Sequence, residues 1–77
     1  MALTTINVYA NLRQYVGGAP TVDVDVTPGQ TIGQVLDGLG IPREKTRIIF
    51  VNHRSAQLDD PLEGRERIDL FSAIGGG

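Results

Sequence analysis

Alternation of apolar and polar residues predicts β-strands at three places in the chain. In residues 4–10, 21–26 and 67–71, apolar side chains occupy every second position. This is the period at which a half-buried strand places its side chains on one face. The inward residues of these strands are Ile6, Val8 and Ala10; Val22, Val24 and Val26; and Ile68 and Leu70. The first two strands lie close together in the sequence and are expected to form a hairpin.

The run from Arg47 to Val51 predicts a further strand of a different kind. It is too short for a helix, is rich in strand-forming residues and is apolar on both faces, so one of its faces is expected to look outward. After this strand the sequence predicts a turn over residues 52–55 and a short extended piece over residues 56–58. A turn-rich loop is predicted from Asp59 to Gly64.

One segment of the chain has apolar residues at the spacing of an amphipathic α-helix. Thr31 is placed to cap a helix that ends at Gly40 and Pro42. The apolar residues at helical spacing are Ile32, Val35, Leu36 and Leu39. A shorter helical turn is expected at residues 11–16, closed by Gly17-Gly18, with Leu12 covering the core.

The order of these elements predicts the fold. Two strands, a helix and then two or three more strands indicate an α+β domain with one main helix packed on one face of a mixed four- to five-stranded sheet. That is the β-grasp, or ubiquitin-like, arrangement. A chain of 77 residues has material for one core only, so we expect a domain over residues 1–74 and a flexible glycine tail over residues 75–77.

Composition excludes several classes of function. The net charge is −2 and the sequence pI is about 5.1, which gives no general attraction to nucleic acid. The chain has no cysteine and one histidine, so it cannot form disulfides, thiolate sites or a multi-histidine metal centre, and no metal site is expected. It has no predicted leader or long apolar run, so neither a membrane partner nor export is expected, and we predict a cytoplasmic protein.

The chemistry-bearing feature is the ending Ser72-Ala73-Ile74-Gly75-Gly76-Gly77. No side chain follows Ile74, so Gly75, Gly76 and Gly77 form a slender tail that could thread a narrow channel and carry a carboxylate into another enzyme's active site. Glycines also fray at chain ends without any function. Their position three residues after the final strand favours the functional interpretation, and we expect the tail to be disordered until a partner binds.

The whole chain resembles the MoaD/ThiS family, which comprises the small subunit of molybdopterin synthase and the sulfur carrier of the thiamine pathway. The resemblance rests on the turn Asn-Leu-Arg-Gln-Tyr-Val-Gly-Gly, the strand Ile-Ile-Phe-Val-Asn, the Asp59-to-Gly64 loop and the ending Arg-Ile-Asp-Leu-Phe-Ser-Ala-Ile-Gly-Gly-Gly. Three features depart from the family pattern: Asn52-His53-Arg54 replaces an Asn-Gly turn, Ser72-Ala73 replaces an approach containing proline, and there are three terminal glycines instead of two.

The resemblance implies that Gly77 is the reactive residue, and that this protein is a carrier and not an enzyme. An adenylyltransferase of the ubiquitin-activating type would use ATP to adenylate the Gly77 carboxylate, and a sulfur donor would convert it to a thiocarboxylate. No cofactor is expected to be bound to the carrier itself. The acceptor would be the large subunit of molybdopterin synthase or thiazole synthase. The long connection over residues 11–18 favours molybdopterin (or tungstopterin) synthesis.

A partner-binding patch is expected beside the tail. Four successive apolar residues cannot all face one side of a sheet, so about half of the run from Ile48 to Val51 should look outward. We assign Ile49 and Val51, with Phe71 and Ile74, to this patch.

Other interpretations stay open. The thiamine pathway, a ubiquitin-like modifier that forms isopeptide bonds, and a β-grasp interaction module with inert glycines are the alternatives to the leading hypothesis. His53 could be a general base, but a polar turn residue is the simpler interpretation. Asp59, Asp60 and Glu63 lack the spacing of a calcium loop and fit a solvated turn better.

Overall fold

The computed structural model describes residues 3–72. These residues form one sheet, one α-helix and two 3₁₀ helices. The elements along the chain are β1 (Leu3–Val8), a first 3₁₀ helix (Ala10–Val16), β2 (Thr21–Asp25), α1 (Ile32–Leu39), a second 3₁₀ helix (Arg43–Lys45), β3 (Thr46–Val51), β4 (Arg54–Ala56) and β5 (Arg67–Ser72).

The sheet is mixed and has five strands in the order β2-β1-β5-β3-β4. Strands β1 and β5 are parallel, and every other neighbouring pair is antiparallel. The predicted α+β architecture and the β1–β2 hairpin are therefore confirmed. Strand β5, the last in sequence, lies at the centre of the sheet, so the strand that leads toward the glycines is hydrogen-bonded on both sides.

Helix α1 begins at a capping box, as the Thr31 signal predicts. The Thr31 hydroxyl accepts a hydrogen bond from the Gln34 amide at 3.2 Å, and the Thr31 amide donates to the Gln34 side chain at 2.9 Å. The helix ends at Gly40, whose φ of 76° is left-handed. Within residues 3–72, no helix is long and apolar enough to cross a lipid bilayer.

The core lies between α1 and one face of the sheet. The predicted inward residues of α1 are confirmed, with Leu39 partly buried and the others fully so. Leu12, in the first 3₁₀ helix, is 1% exposed and covers the core as expected. The buried apolar cluster consists of Ile6, Val8, Leu12, Val26, Ile32, Val35, Leu36, Ile41, Ile49, Leu62, Ile68 and Leu70.

The loop after β4 is tied to the start of α1. The amides of Ile32 and Gly33 donate to the carbonyls of Asp60 and Leu58 at 3.1 and 2.9 Å. The loop carbonyls thereby satisfy amides of the first helical turn that have no partner inside the helix. The loop also supplies Leu62 to the core, which explains why a segment rich in turn residues is ordered against the helix.

The β3–β4 connection is tighter than the sequence predicts. Only Asn52 and His53 form the turn, with φ of 52° and 70°, as a two-residue turn with both central residues left-handed requires. Because the turn closes in two residues, Arg54 and Ser55 are free to pair with Val51 and Phe50. The prediction of a turn over residues 52–55 and an extended piece over 56–58 is corrected to a strand at Arg54–Ala56.

Replacing His53 with glycine should stabilise the domain. Left-handed backbone raises the conformational free energy of a residue with a Cβ atom by about 1 kcal/mol or more. Glycine adopts this conformation without that strain but loses more conformational entropy on folding. We expect His53→Gly to raise the free energy of unfolding by about 0.5–1 kcal/mol, measured by urea denaturation. Gly38→Ala is the control and makes the opposite exchange, of glycine for a residue with a Cβ atom. Gly38 lies in α1, and an added Cβ there would meet no atom within 4 Å. A destabilised His53→Gly variant would contradict the assignment of strain to the turn.

Candidate functional site

The site is built around the carboxyl end of β5. Ser72, the last residue of β5, pairs with Thr46 at the start of β3, and on the other side the Tyr9 amide donates to the Leu70 carbonyl at 3.2 Å. The chain passes from here into residues 73–77. The predicted site residues Ile74, Gly75, Gly76 and Gly77, and the expectation of a disordered tail, lie outside the described residues.

An aromatic cluster covers the outer face of the sheet next to this end. The rings of Tyr9 and Phe71 stack with centroids 4.6 Å apart and an interplanar angle of 5°. Phe50 meets Phe71 edge-on at 5.9 Å, a favourable geometry for aromatic pairs. Ile48 pairs directly with Phe71 across β3 and β5 and is 48% exposed. We call Tyr9, Ile48, Phe50 and Phe71 the outer cluster.

The outer cluster corrects part of the predicted patch. Phe71 lies on the outer face as predicted, but Ile49 is 5% exposed, pairs with Leu70 and belongs to the core. Val51 is partly buried and packs against the same core. Because side chains alternate along a strand, the outward residues of β3 are Ile48 and Phe50. Sequence reasoning identified the two-faced run and chose the wrong alternate pair.

Tyr9 was missed for a different reason. It follows the end of β1, and nothing in its own neighbourhood marks it as a partner of Phe71. The parallel pairing of β1 with β5 brings the two rings together across 62 positions of sequence. The available signal was the outward position of Tyr9 in the alternation of Ile6 and Val8.

Beside the outer cluster, a row of polar side chains crosses the same face. Asn7 donates to the Asp69 carboxylate at 2.9 Å and accepts from the Thr21 hydroxyl at 3.1 Å. In the next row, the Thr5 hydroxyl donates to Asp23 at 3.0 Å. These bonds fix the side chains of β1, β2 and β5 on the outer face, so the outer cluster has a polar and acidic border on its β2 side.

The opposite border, where β3 begins, carries cationic side chains. Lys45 and Arg47 flank Thr46, the partner of Ser72, and both are exposed. Arg43 forms a bidentate ion pair with Asp37, in which Nη2 donates to Oδ2 at 2.8 Å and Nε donates to Oδ1 at 3.1 Å. The hydrogen bond and the charge of Asp37 raise the pKa of Arg43 above its ordinary value. Gly33 leaves room for this guanidinium, since an added Cβ would lie 2.8 Å from Arg43 Cζ.

Other candidate groups lie away from the end of β5. His53 is exposed in the β3–β4 turn, at the opposite end of β3 from Thr46. Asp60 accepts a hydrogen bond from the Gln57 amide at 2.9 Å, as a turn residue does. Across the described residues 3–72, no three His, Cys, Asp or Glu side chains come together in a way that could hold a metal ion.

Comparison with known proteins identifies the family. A sequence model described as the ThiS family matches residues 6–77. The chain belongs to the ThiS family. The match extends from β1 through all three glycines, so it includes residues 73–77, which the structure does not describe. The sequence resemblance to MoaD/ThiS proteins is thereby confirmed.

Solved structures share the fold of this chain. Two crystal structures of small archaeal modifier protein 1 (SAMP1) from Haloferax volcanii superpose on this chain with a TM-score of 0.72. One is 25% identical, and the match covers 97% of this chain and 99% of that one. The other is 22% identical, and the match covers 92% of this chain and 97% of that one. A putative molybdopterin converting factor subunit 1 from Pyrococcus furiosus has a TM-score of 0.73 at 14% identity, covering 94% and 98%. These likenesses confirm the β-grasp fold of the ThiS-family chain. Comparison with curated protein sequences gave no match.

Proposed function

We propose that this protein is a sulfur carrier that works through the carboxylate of Gly77. The observation that carries the proposal is the ThiS family match, which runs through residue 77. The structure supports it by placing β5 at the centre of the sheet, so that the strand before the tail is held on both sides. An activating enzyme of the adenylyltransferase type would use ATP to form the Gly77 acyl adenylate, and a sulfur donor would supply the sulfur.

The chemistry needs no side chain of the carrier. A carboxylate is a poor electrophile because its leaving group is oxide, and adenylation provides AMP as a better one. The sulfur donor then attacks the acyl carbon, which leaves a thiocarboxylate covalently attached to the chain. Glycine has no side chain to obstruct that carbon. The activating enzyme supplies the catalytic groups, and the carrier supplies the acyl group and a surface for docking.

We further propose molybdopterin (or tungstopterin) synthesis as the pathway, with the large subunit of molybdopterin synthase as acceptor. The connection between β1 and β2 includes a 3₁₀ helix over Ala10–Val16 that packs Leu12 into the core, and this longer connection resembles the molybdopterin member of the family. The structural likeness to a putative molybdopterin converting factor subunit supports the same choice at the level of fold. Thiazole synthase is the alternative acceptor.

A ubiquitin-like modifier is the second candidate function. The likeness to a protein named as a small archaeal modifier favours it, at 25% identity over nearly the whole of both chains. The activation chemistry is the same up to the acyl adenylate, and the two functions differ in the nucleophile that follows. Conjugates of the chain on lysines of other proteins would identify a modifier.

Intact-mass measurement tests the proposal. The chain is incubated with ATP, a sulfur donor and a candidate activating enzyme, and thiocarboxylate formation appears as a gain of about 16 Da. The thiocarboxylated chain is then offered separately to the molybdopterin synthase large subunit, with its pterin precursor, and to thiazole synthase. Loss of the added mass with one acceptor and its retention with the other identifies the pathway. If no activating enzyme produces the mass gain, the carrier proposal fails.

The outer cluster should be needed for docking to the activating enzyme. Ile48→Ser removes an exposed apolar side chain next to Phe71, and we expect the apparent KM for the carrier to rise about tenfold, a loss of about 1.4 kcal/mol at a central interface residue. Leu3→Ser is the matched control: Leu3 is 56% exposed on the same face but lies at the far end of β1. Equal effects of the two substitutions would contradict docking through the outer cluster.

A further inference from the structure

Strand β2 forms one edge of the sheet, so one side of its backbone faces away from every described strand. The Val8 amide donates to the Pro20 carbonyl at 2.8 Å, which sets the phase of the β1–β2 ladder. Because backbone groups in an antiparallel pair point alternately toward and away from the partner, Val22 bonds to β1, whereas Thr21 and Asp23 turn their N–H and C=O groups outward. Within residues 3–72, nothing is hydrogen-bonded to these outward groups. The edge therefore offers donors and acceptors for one more strand.

The core-side surface of β2 is apolar and incompletely covered. Val22 and Val24 pair with Ile6 and Thr4 of β1, which are both 0% exposed. The two valines lie at the margin of the same face and are only partly buried, although they pack against the core. A further strand beside β2 would cover them, because neighbouring strands lie about 4.8 Å apart and directly opposite side chains share a face.

The opposite face of β2 is acidic. Asp23 and Asp25 are exposed there, and β1 and β2 contain no basic residue. Asp23 accepts a hydrogen bond from the Thr5 hydroxyl at 3.0 Å, but no cationic side chain within residues 3–72 forms an ion pair with it. Pairing of two copies of the chain through β2 would set these carboxylates against one another, and like charges directly opposite are unfavourable. The charge of this edge therefore disfavours a second copy and favours a basic strand.

We propose that β2 binds an extended segment of a partner protein as an additional antiparallel strand, in which basic and apolar residues alternate. The basic residues lie opposite Thr21 and Asp23, exchange backbone hydrogen bonds with them and place their cations beside the carboxylates. The apolar residues between them cover Val22 and Val24. The backbone bonds provide affinity, and the alternate side chains provide specificity. The inference does not depend on the proposed function, because this edge involves neither β5 nor residues 73–77.

A synthetic peptide tests the pairing directly. The probe is Lys-Val-Lys-Val-Lys-Val-Lys with blocked ends, added to the full chain while amide hydrogen exchange and chemical shifts are followed by NMR. We expect exchange at the Thr21 and Asp23 amides to slow at least about tenfold, because they gain strand hydrogen bonds. The Val22 amide, already bonded to β1, should change much less. A peptide of the same composition without alternation, Lys-Lys-Val-Val-Val-Lys-Lys, should not protect these amides.

N-methylation of the peptide separates backbone pairing from charge attraction. Methylation of the lysine amides removes the donors that face β2, and we expect binding at least about tenfold weaker. Methylation of the valine amides, which face away from β2, should leave the affinity nearly unchanged. Neither change alters the charge of the peptide or the fold of the chain.

The charge on the outer face is tested in the chain itself. Asp23→Asn should weaken binding of the unmethylated peptide about threefold, the scale of an exposed ion pair. Asp59→Asn is the matched control, because it removes the same charge from an exposed position in the loop after β4, the strand at the opposite edge of the sheet. Equal effects of the two substitutions would contradict a basic strand beside Asp23.

The outcomes decide the inference without an activating enzyme. Protection of the Thr21 and Asp23 amides that is lost with the lysine-methylated peptide supports strand addition at β2. Absence of shifts at about 1 mM peptide, shifts without protection of these amides, or equal or reversed affinities of the two methylated peptides overturns it. Protection of the same amides in the concentrated free chain would indicate self-pairing and also overturns it. None of these results bears on the carrier proposal, which is tested by the mass gain.

Discussion

Removal of Gly76 and Gly77 is expected to abolish thiocarboxylate formation while the free energy of unfolding changes by no more than about 0.5 kcal/mol, the scale of surface changes. The last strand ends at Ser72, and the buried cluster ends at Leu70. Truncation therefore deletes none of the core described in the structure, but it withdraws the acyl group from the partner's active site. Mass spectrometry measures the first effect and urea denaturation the second.

Two further variants define what the tail must supply. Extension of the chain beyond Gly77 should be as harmful as truncation unless a protease trims it, because an internal peptide bond offers no carboxylate to adenylate. His53→Ala should retain sulfur transfer, since His53 lies in the turn after β3, whereas the end of β5 pairs with the start of β3 at Thr46. Sulfur transfer by the truncated chain at the full rate would overturn the carrier proposal and favour an interaction module with inert glycines.

Leu70→Ala should be the most damaging single substitution for stability among those considered. Leu70 is completely buried in the central strand and pairs with Val8 on one side and Ile49 on the other. Truncation of such a leucine costs about 2–5 kcal/mol through lost burial and a residual cavity. Domains of this size have small total stability, so a substantial fraction of the variant should be unfolded at physiological temperature.

The matched control is Leu70→Met, which conserves volume and should cost less than about 1.5 kcal/mol. Both variants keep Phe71 and the glycines, so at a temperature where each is folded they should accept sulfur at nearly the same rate. Urea denaturation followed by circular dichroism gives the stabilities. A cost below about 1 kcal/mol for Leu70→Ala would contradict the buried position of β5 and the tight packing around it.

The strands and the helix could be predicted because their signals are local. The alternation of Val22 and Val24, the capping residue Thr31 and the helix-ending Gly40 each act within a few residues of the chain. The structure confirms the elements that these signals predict. The short strand at Arg54–Ala56 was misplaced because the left-handed backbone of Asn52 and His53 is not apparent from residues that carry a Cβ atom.

The sequence by itself thus determined the fold class, the central packing residues and the glycines as the candidate reactive end. The docking face was decided only by tertiary structure. An apolar strand such as β3 has no polar face to fix its orientation, and a shift of one residue exchanges its two sides. Pairing with β5, which includes an irregularity between Thr46 and Ile48, turns Ile49 toward the core and Ile48 outward. The stacking of Tyr9 on Phe71 likewise depends on a parallel pairing between the two ends of the chain, which no local pattern specifies.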